Sequence, residues 1–225
     1  MSSRGVGAVR PFGERALLLD VADSAAARSL APLVAAAPGV LDVVPGAASL
    51  LVRCGDAAAA RDLARAWAAE PPRVQDGAAA TGREVRIGVR YDGADLAEVG
   101  RRTGLGEAGV IAAHTGATYV AAFAGFAPGF VYLEGLPGVL QLPRRHDPRT
   151  RVPAGSVAIA AGYTSVYPRS SPGGWHLLGT TTAVLFDPGR DPAALIRPGD
   201  TVRFEPLPDP IPDPMPEPRR GEEPA

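Results

Sequence analysis

The sequence predicts a mixed α+β chain: a small β-α-β-β-α unit followed by a β-barrel or sandwich that carries one helical insertion. Three observations predict it. The first eighty residues alternate short apolar runs with two Ala-rich stretches, each placed behind an aspartate. From Gly82 onward the apolar runs shorten and Gly/Pro turns crowd between them. Between the two textures, Glu70–Thr81 holds Pro71-Pro72 and a Gly/Ala run, the composition of a linker. The expected organisation is an α/β domain over 1–80, a β-barrel-type domain over 82–206 and a Pro-rich tail over 207–225.

Arg15–Val21 (RALLLDV) is a short apolar strand, and Asp23 or Ser24 supplies the cap of the helix after it. Pro38-Gly39 ends that helix. Val40–Val44 and Ser49–Arg53 form a hairpin around Pro45-Gly46. Asp56 caps a second helix, AAAARDLARAWAA, whose Leu63 and Trp67 lie four apart on one face. In the second part Glu84–Arg90 alternates, with Val85, Ile87 and Val89 inward. Asp92–Thr103 and Gly106–His114 predict two short helices, the second ended by Gly116. Short strands are expected at Thr118–Ala124, Ser156–Ala160, His176–Leu178, Ala183–Phe186 and Thr201–Phe204. Pro206–Pro218 has proline at nearly every second position, which excludes helix and central strand and predicts extended polyproline-like or unstructured chain.

Composition narrows the chemistry. A net charge of −1 gives no global field for nucleic acid or an anionic membrane. One cysteine, Cys54, supports neither a disulfide framework nor a multi-Cys zinc site. The N-terminal stretch lacks the apolar core of a signal peptide and no apolar run reaches bilayer length, so a cytoplasmic location is expected. All 23 basic residues are arginine, and asparagine is absent too. Schiff-base lysine chemistry and a P-loop are therefore excluded, and any phosphate must be held by arginines or backbone amides.

The candidate chemistry gathers between Gly125 and Thr182. Gly125-Phe126-Ala127-Pro128-Gly129-Phe130 is either a tight loop presenting Phe126 and Phe130 to a ligand, or a turn whose phenylalanines pack in the core. Arg144, Arg145, Arg149 and Arg151 lie between prolines 143 and 153, which hold the loop extended and suit it to gripping a carboxylate or phosphate. Ser170-Ser171-Pro172-Gly173-Gly174-Trp175 has the make-up of an amide nest preceded by hydroxyls, or of a hairpin turn with Trp175 as core anchor. Ser156 and Tyr167 add hydroxyls nearby. His114 ends a helix, as a dipole-stabilised cation or a proton-transfer group. No HxH or HExxH spacing links His114, His146 and His176, and no metal site is expected.

Three long motifs, GFAPGFVYLEGL, PRR…PRTRVPAGSVAIA and YPRSSPGGWHLLGTT, resemble the carboxyltransferase-like family called allophanate hydrolase subunit 1. Its members include the bacterial sporulation-kinase inhibitor and the B-type subunit of the ATP-dependent 5-oxoprolinase. RALLLDV, VVPGAASLLV and LAEVGRRTGLGEAGVIAAHTGATYVAAFAGF fit the same layout, so the resemblance spans residues 10–206. It implies a small N-terminal α/β domain before a cyclophilin-like β-barrel, and obligate partner subunits C and A. It implies a complex that hydrolyses 5-oxo-L-proline to L-glutamate with ATP and Mg2+, in which this chain alone holds no cofactor. On that reading Arg145, Arg149 and Arg151 contact an anion and His114 transfers a proton. Phe126, Phe130, Ser156, Tyr167, Ser171, Gly173, Gly174 and Trp175 line the substrate. The chain departs from the family at Gly162-Tyr163-Thr164-Ser165-Val166-Tyr167, where G-Q-T-G-I-Y is usual, and at Gly179-Thr180-Thr181, where G-R-T is usual. Two other roles go with the resemblance: half of a biotin-dependent carboxyltransferase acting on urea or another amide, and a non-enzymatic inhibitor of a histidine kinase.

Overall fold

The computed structural model describes residues 6–73 and 82–208. The expected linker lies mostly outside these residues, and so does the expected Pro-rich tail beyond residue 208.

The first part is a four-stranded antiparallel sheet with two helices. Its elements are β1 (Val9–Pro11), β2 (Ala16–Asp20), α1 (Ser24–Ala35), β3 (Val40–Pro45), β4 (Ser49–Cys54) and α2 (Ala57–Ala69), with strand order β1-β2-β4-β3. Both helices start where an aspartate accepts an otherwise unpaired amide: Ala26 N donates to Asp23 at 2.7 Å and Ala59 N to Asp56 at 2.8 Å. Leu17, Leu19, Leu50 and Val52 alternate onto one sheet face and meet Leu30, Val34, Ala60 and Trp67 from the helices. Each such buried aliphatic side chain contributes about 1.5–3 kcal/mol. β1, unexpected from the sequence, is only three residues long and ends at Pro11, so it can serve only as an edge.

The second part is a seven-stranded sheet curled nearly shut. In chain order its elements are β5 (Glu84–Val89), α3 (Leu96–Thr103), α4 (Gly106–Thr115), β6 (Tyr119–Ala124), β7 (Val131–Glu134), a 3-10 turn (Gly138–Leu140), β8 (Arg149–Val152), β9 (Ser156–Ala160), β10 (Tyr163–Val166), β11 (Ser171–Gly173), β12 (His176–Thr180) and β13 (Thr201–Pro206). The sheet runs β12-β9-β10-β7-β6-β13-β5, with β13 parallel to β5 and the other pairs antiparallel. Arg90, just past β5, exchanges both backbone hydrogen bonds with Thr180 at the end of β12, at 2.8 and 2.7 Å, which links the two edges. Gly179 is required there, because a Cβ would lie 2.2 Å from the Arg90 carbonyl oxygen. The interior takes Ile87, Val89, Tyr119, Leu133, Val157, Ile159, Leu178 and Phe204, together with Leu96, Val99 and Val110 from α3 and α4.

β9 is buried along its whole length, which explains its unbroken apolar run. Val157 and Ile159 face the interior, while Ala158 and Ala160 face a second, aromatic cluster on the other side. Two alanines leave that side shallow enough to seat Phe130, Tyr167 and Trp175, roofed by Val152 of the β8–β11 ribbon.

Ala183–Phe186 is not a strand. Its backbone bonds to the facing segment are limited to Asp187 N with the Ala193 carbonyl and the Leu185 carbonyl with Leu195 N, and Pro192, which has no N–H, interrupts any longer ladder. Ser171–Gly173 is not a nest turn either: it is extended, and pairs with the strand that the prolines keep straight around Arg149–Val152. α1 packs on β6 and β7. Ser24 Oγ donates to Glu134 at 2.7 Å, and Arg28 Nη1 donates to Ser24 Oγ at 3.0 Å and to the Ala122 carbonyl at 3.1 Å.

Candidate functional site

The structure gathers one group of the expected site residues around the β8–β11 ribbon. Gly173 of β11 pairs with Arg149 of β8, and Arg145 N donates to the Gly174 carbonyl at 2.8 Å. Beneath Gly173 lies the Tyr167 hydroxyl, so close that a Cβ on Gly173 would sit 2.2 Å from it. Burial raises the Tyr167 phenol pKa, although Arg144 and Arg149 oppose the shift. Phe130 packs edge-on to Tyr167 and Trp175 at 5.3 and 5.6 Å.

Phe126 closes the other side. Its ring meets Phe130 at 5.2 Å and Tyr167 at 6.3 Å, yet 60% of the residue is exposed. Its φ of 67° is a left-handed conformation that costs a non-glycine residue about 1–2 kcal/mol. The loop therefore holds an aromatic ring in solvent against both backbone preference and hydrophobicity. Exposed Val184 and Phe186 accompany it, the latter 2.7 Å from where a Cβ on Gly129 would lie.

The arginines divide. Arg145 and Arg149 converge on a carboxylate that sequence reading missed. Asp95, 3% exposed, accepts Arg145 Nη1 at 2.7 Å, Arg149 Nη2 at 2.7 Å and Nη1 at 2.9 Å, and the Leu177 amide at 2.8 Å. Burial alone would raise its pKa; the Arg149 hydrogen bond, the Leu177 amide and both guanidinium charges hold it below the usual carboxylate value. One carboxylate faces two cations, so the node keeps a net positive charge, and both arginine side chains remain about a quarter exposed, at 30% and 25%. Arg151, two residues along the same strand and on the same face, is exposed and donates to Ser170 Oγ at 3.1 Å. Arg144 is exposed as well.

Two of the expected side chains direct their hydroxyl protons to nearby carbonyls of the chain. Ser156 is buried and its hydroxyl donates to the Pro153 carbonyl at 2.8 Å. Ser171 Oγ donates to the Arg169 carbonyl at 3.3 Å. Phe130, Tyr167 and Trp175 form the floor of the site, so a ligand meets Phe126, the Gly173-Gly174 backbone and the arginines first.

His114 is a correction. It lies in the last turn of α4, as expected, but it is fully buried among Tyr91, Tyr119 and Phe204. Nδ1 bonds the Tyr91 hydroxyl at 2.7 Å and Nε2 the Thr164 hydroxyl at 2.9 Å. Burial pushes its pKa down to about 3 and outweighs any gain from the helix terminus. A neutral ring with both nitrogens engaged and no solvent contact holds core strands to a helix; it does not exchange protons with substrate.

Asp95 escaped notice because it falls inside the helix expected over Asp92–Thr103, whereas α3 starts only at Leu96. Its side chain makes no cap bond and turns instead to residues 50 and 54 positions later. The available signal was four arginines in eight residues with one acid, Asp147, among them, which calls for a carboxylate from elsewhere. Thr180, where the family usually has arginine, donates to Asp92 at 2.9 Å.

Residues 8–196 match the family described as carboxyltransferase domain, subdomain C and D. Over 127 residues the chain is 52% identical to the B-type 5-oxoprolinase subunit of Escherichia coli O157:H7, covering 55% of this chain and 58% of that protein. The chain thus spans little more than half the length of the curated relative. The crystal structure of TTHA0988 superposes with a TM-score of 0.74 at 39% identity, over 91% of this chain and 42% of that one. The urea amidolyase of K. lactis superposes with a TM-score of 0.69 at 16% identity, over 88% of this chain and 15% of that one, a likeness of fold alone.

Proposed function

The chain belongs to the carboxyltransferase domain family, subdomains C and D, and from this premise we propose that it is the B-type subunit of an ATP-dependent complex that opens 5-oxo-L-proline to L-glutamate. The observation that carries the proposal is the arginine face: Arg145 and Arg149, fixed on a buried carboxylate, open beside the Gly173-Gly174 backbone and a solvent-held Phe126. The 52% identity to a protein named as a 5-oxoprolinase subunit of the B type supports the choice of substrate.

5-Oxoproline is a five-membered lactam with one carboxylate, and the face offers a counterpart to each part. The donors that Asp95 leaves on Arg145 and Arg149, together with Arg151, take the carboxylate. Phe126 covers the ring methylenes. The Gly174 backbone, where a side chain would add bulk, lies against the lactam edge. ATP with Mg2+, entering at the level of the complex, supplies the phosphoryl group that activates the lactam carbonyl. With no lysine in the chain, no nucleotide site is assigned to its own residues. Negative charge developing on the activated lactam is stabilised by guanidinium groups that are already oriented, which costs little reorganisation. The exposed patch of Phe126, Val184 and Phe186 is the contact for a C-type partner, which completes the site; an A-type subunit completes the complex.

The test is glutamate release from 5-oxoproline plus ATP by this chain purified with its candidate partners, omitting each component in turn. Turnover that vanishes without this chain is the expected result; turnover that persists without it overturns the proposal. A second reading, half of a biotin-dependent carboxyltransferase acting on an amide, rests on the family and on the fold shared with urea amidolyase. It predicts bicarbonate-dependent, avidin-sensitive carboxylation instead.

A further inference from the structure

We infer that Asp95 is the positioning residue of the arginine face, an internal carboxylate that sets the orientation of both guanidinium groups before any ligand arrives. The inference rests on the anion-binding reading above and adds to it a residue that touches no substrate.

The geometry is that of a completed node. A carboxylate offers about four good acceptor positions, and Asp95 uses four, two on each oxygen. Oδ1 takes Arg145 Nη1 and Arg149 Nη2; Oδ2 takes Arg149 Nη1 and the Leu177 amide. Arg149 is therefore gripped by both terminal nitrogens, in the planar two-bond arrangement that fixes a guanidinium's plane as well as its position. Arg145 is gripped by one nitrogen, and its Nε is buried without a partner. Asp95 in turn cannot drift. Its amide donates to the Leu177 carbonyl at 3.1 Å, its carbonyl accepts the Val99 amide at 2.8 Å at the start of α3, and its carboxylate returns to the Leu177 amide. The node thus ties α3, β12 and the arginine loop together, three segments distant in sequence.

The charge balance gives the node its purpose. Here the second guanidinium leaves an excess positive charge at a surface where Arg144 and Arg151 are also exposed. A substrate carboxylate arriving there meets cations whose side-chain freedom has already been lost on folding, so binding does not have to order them. Asp95 also remains ionised well into acid, so the orientation persists across the physiological pH range.

Asp95→Asn tests this, because the amide keeps the shape and the bond from Leu177 while removing the charge that pairs both arginines. The reference is Ile87→Ala, a core variant remote from the face, which separates loss of orientation from loss of stability. In the assembled complex, Asp95→Asn is expected to raise KM for 5-oxo-L-proline at least tenfold with kcat changed less than threefold, while Ile87→Ala lowers Tm and leaves KM unchanged. An unchanged KM in Asp95→Asn overturns the inference. So does a lowered KM, which would make Asp95 a competitor for the arginines. Calorimetric binding of inorganic phosphate to the purified chain keeps the two proposals apart. If the complex does not turn over 5-oxoproline, weaker phosphate binding by Asp95→Asn than by wild type still upholds the positioning role, and equal or tighter binding refutes it.

Discussion

Replacing Gly173 by alanine puts a methyl group where the Tyr167 hydroxyl already is. The added Cβ would lie 2.2 Å from Oη, 2.9 Å from Cζ and 3.1 Å from Cε1. The ring has nowhere to retreat. It is 2% exposed and packs against Phe130 and Phe126. Either β11 shifts away from β8 or Tyr167 leaves its seat. Overpacking of this kind costs about 1–3 kcal/mol. A cost of that size lowers Tm by about 2–12 °C for a chain of this size. Thermal unfolding followed by circular dichroism is the assay. Removing the offending atom is the internal check: Gly173→Ala combined with Tyr167→Phe recovers at least half of the loss. A Gly173→Ala variant melting within a degree of wild type would refute the packing described for the ribbon.

Three further outcomes follow from other parts of the structure. His114 has a folded pKa of about 3 against an ordinary 6.5, so between these values the unfolded chain holds the extra proton and stability falls as pH falls, by about 1.4 kcal/mol per pH unit. Its aromatic neighbours Tyr91 and Tyr119 have raised pKa values and stay neutral throughout; urea unfolding at pH 7, 6 and 5 should show that slope in wild type and lose about one proton's worth of it in His114→Gln. Phe126→Ala removes an exposed ring and should change urea-derived stability by less than about 1 kcal/mol while lowering turnover of the complex at least tenfold; equal turnover would remove Phe126 from the site. Arg149→Ala should abolish turnover while leaving a folded chain of reduced Tm, and activity retained within twofold would take this arginine out of anion binding.

Elements whose signal is local were legible in the sequence. Asp23 and Asp56 announce helix starts because an N-cap acts within three residues, and the alternation of Glu84–Arg90 describes a strand with one buried face. β7, β10 and the β8–β11 ribbon were not visible. They are three or four residues long, and the ribbon is bordered by prolines that signal loop by composition. Ala183–Phe186 misled in the opposite sense: its apolar run looks like a strand, but its neighbours supply no ladder. In the candidate site, residue type alone picked out the arginine cluster and the close backbone approach at Gly173, but not that Ser171–Gly173 is an extended strand. Asp95 and the sealing of His114 depend on contacts spanning 50 residues or more, which no local pattern encodes. Ser156, a candidate ligand contact, instead bonds the Pro153 carbonyl three residues earlier, in a turn that composition alone did not distinguish from a site loop.

The most direct test of the central claim measures glutamate and ADP together from the complete complex supplied with 5-oxo-L-proline and ATP, with and without avidin and bicarbonate. The account predicts that the two products appear in parallel, need this chain, and are indifferent to both additions. Activity that is bicarbonate-dependent and abolished by avidin, without glutamate release, would contradict it and place the chain in a biotin-dependent carboxyltransferase.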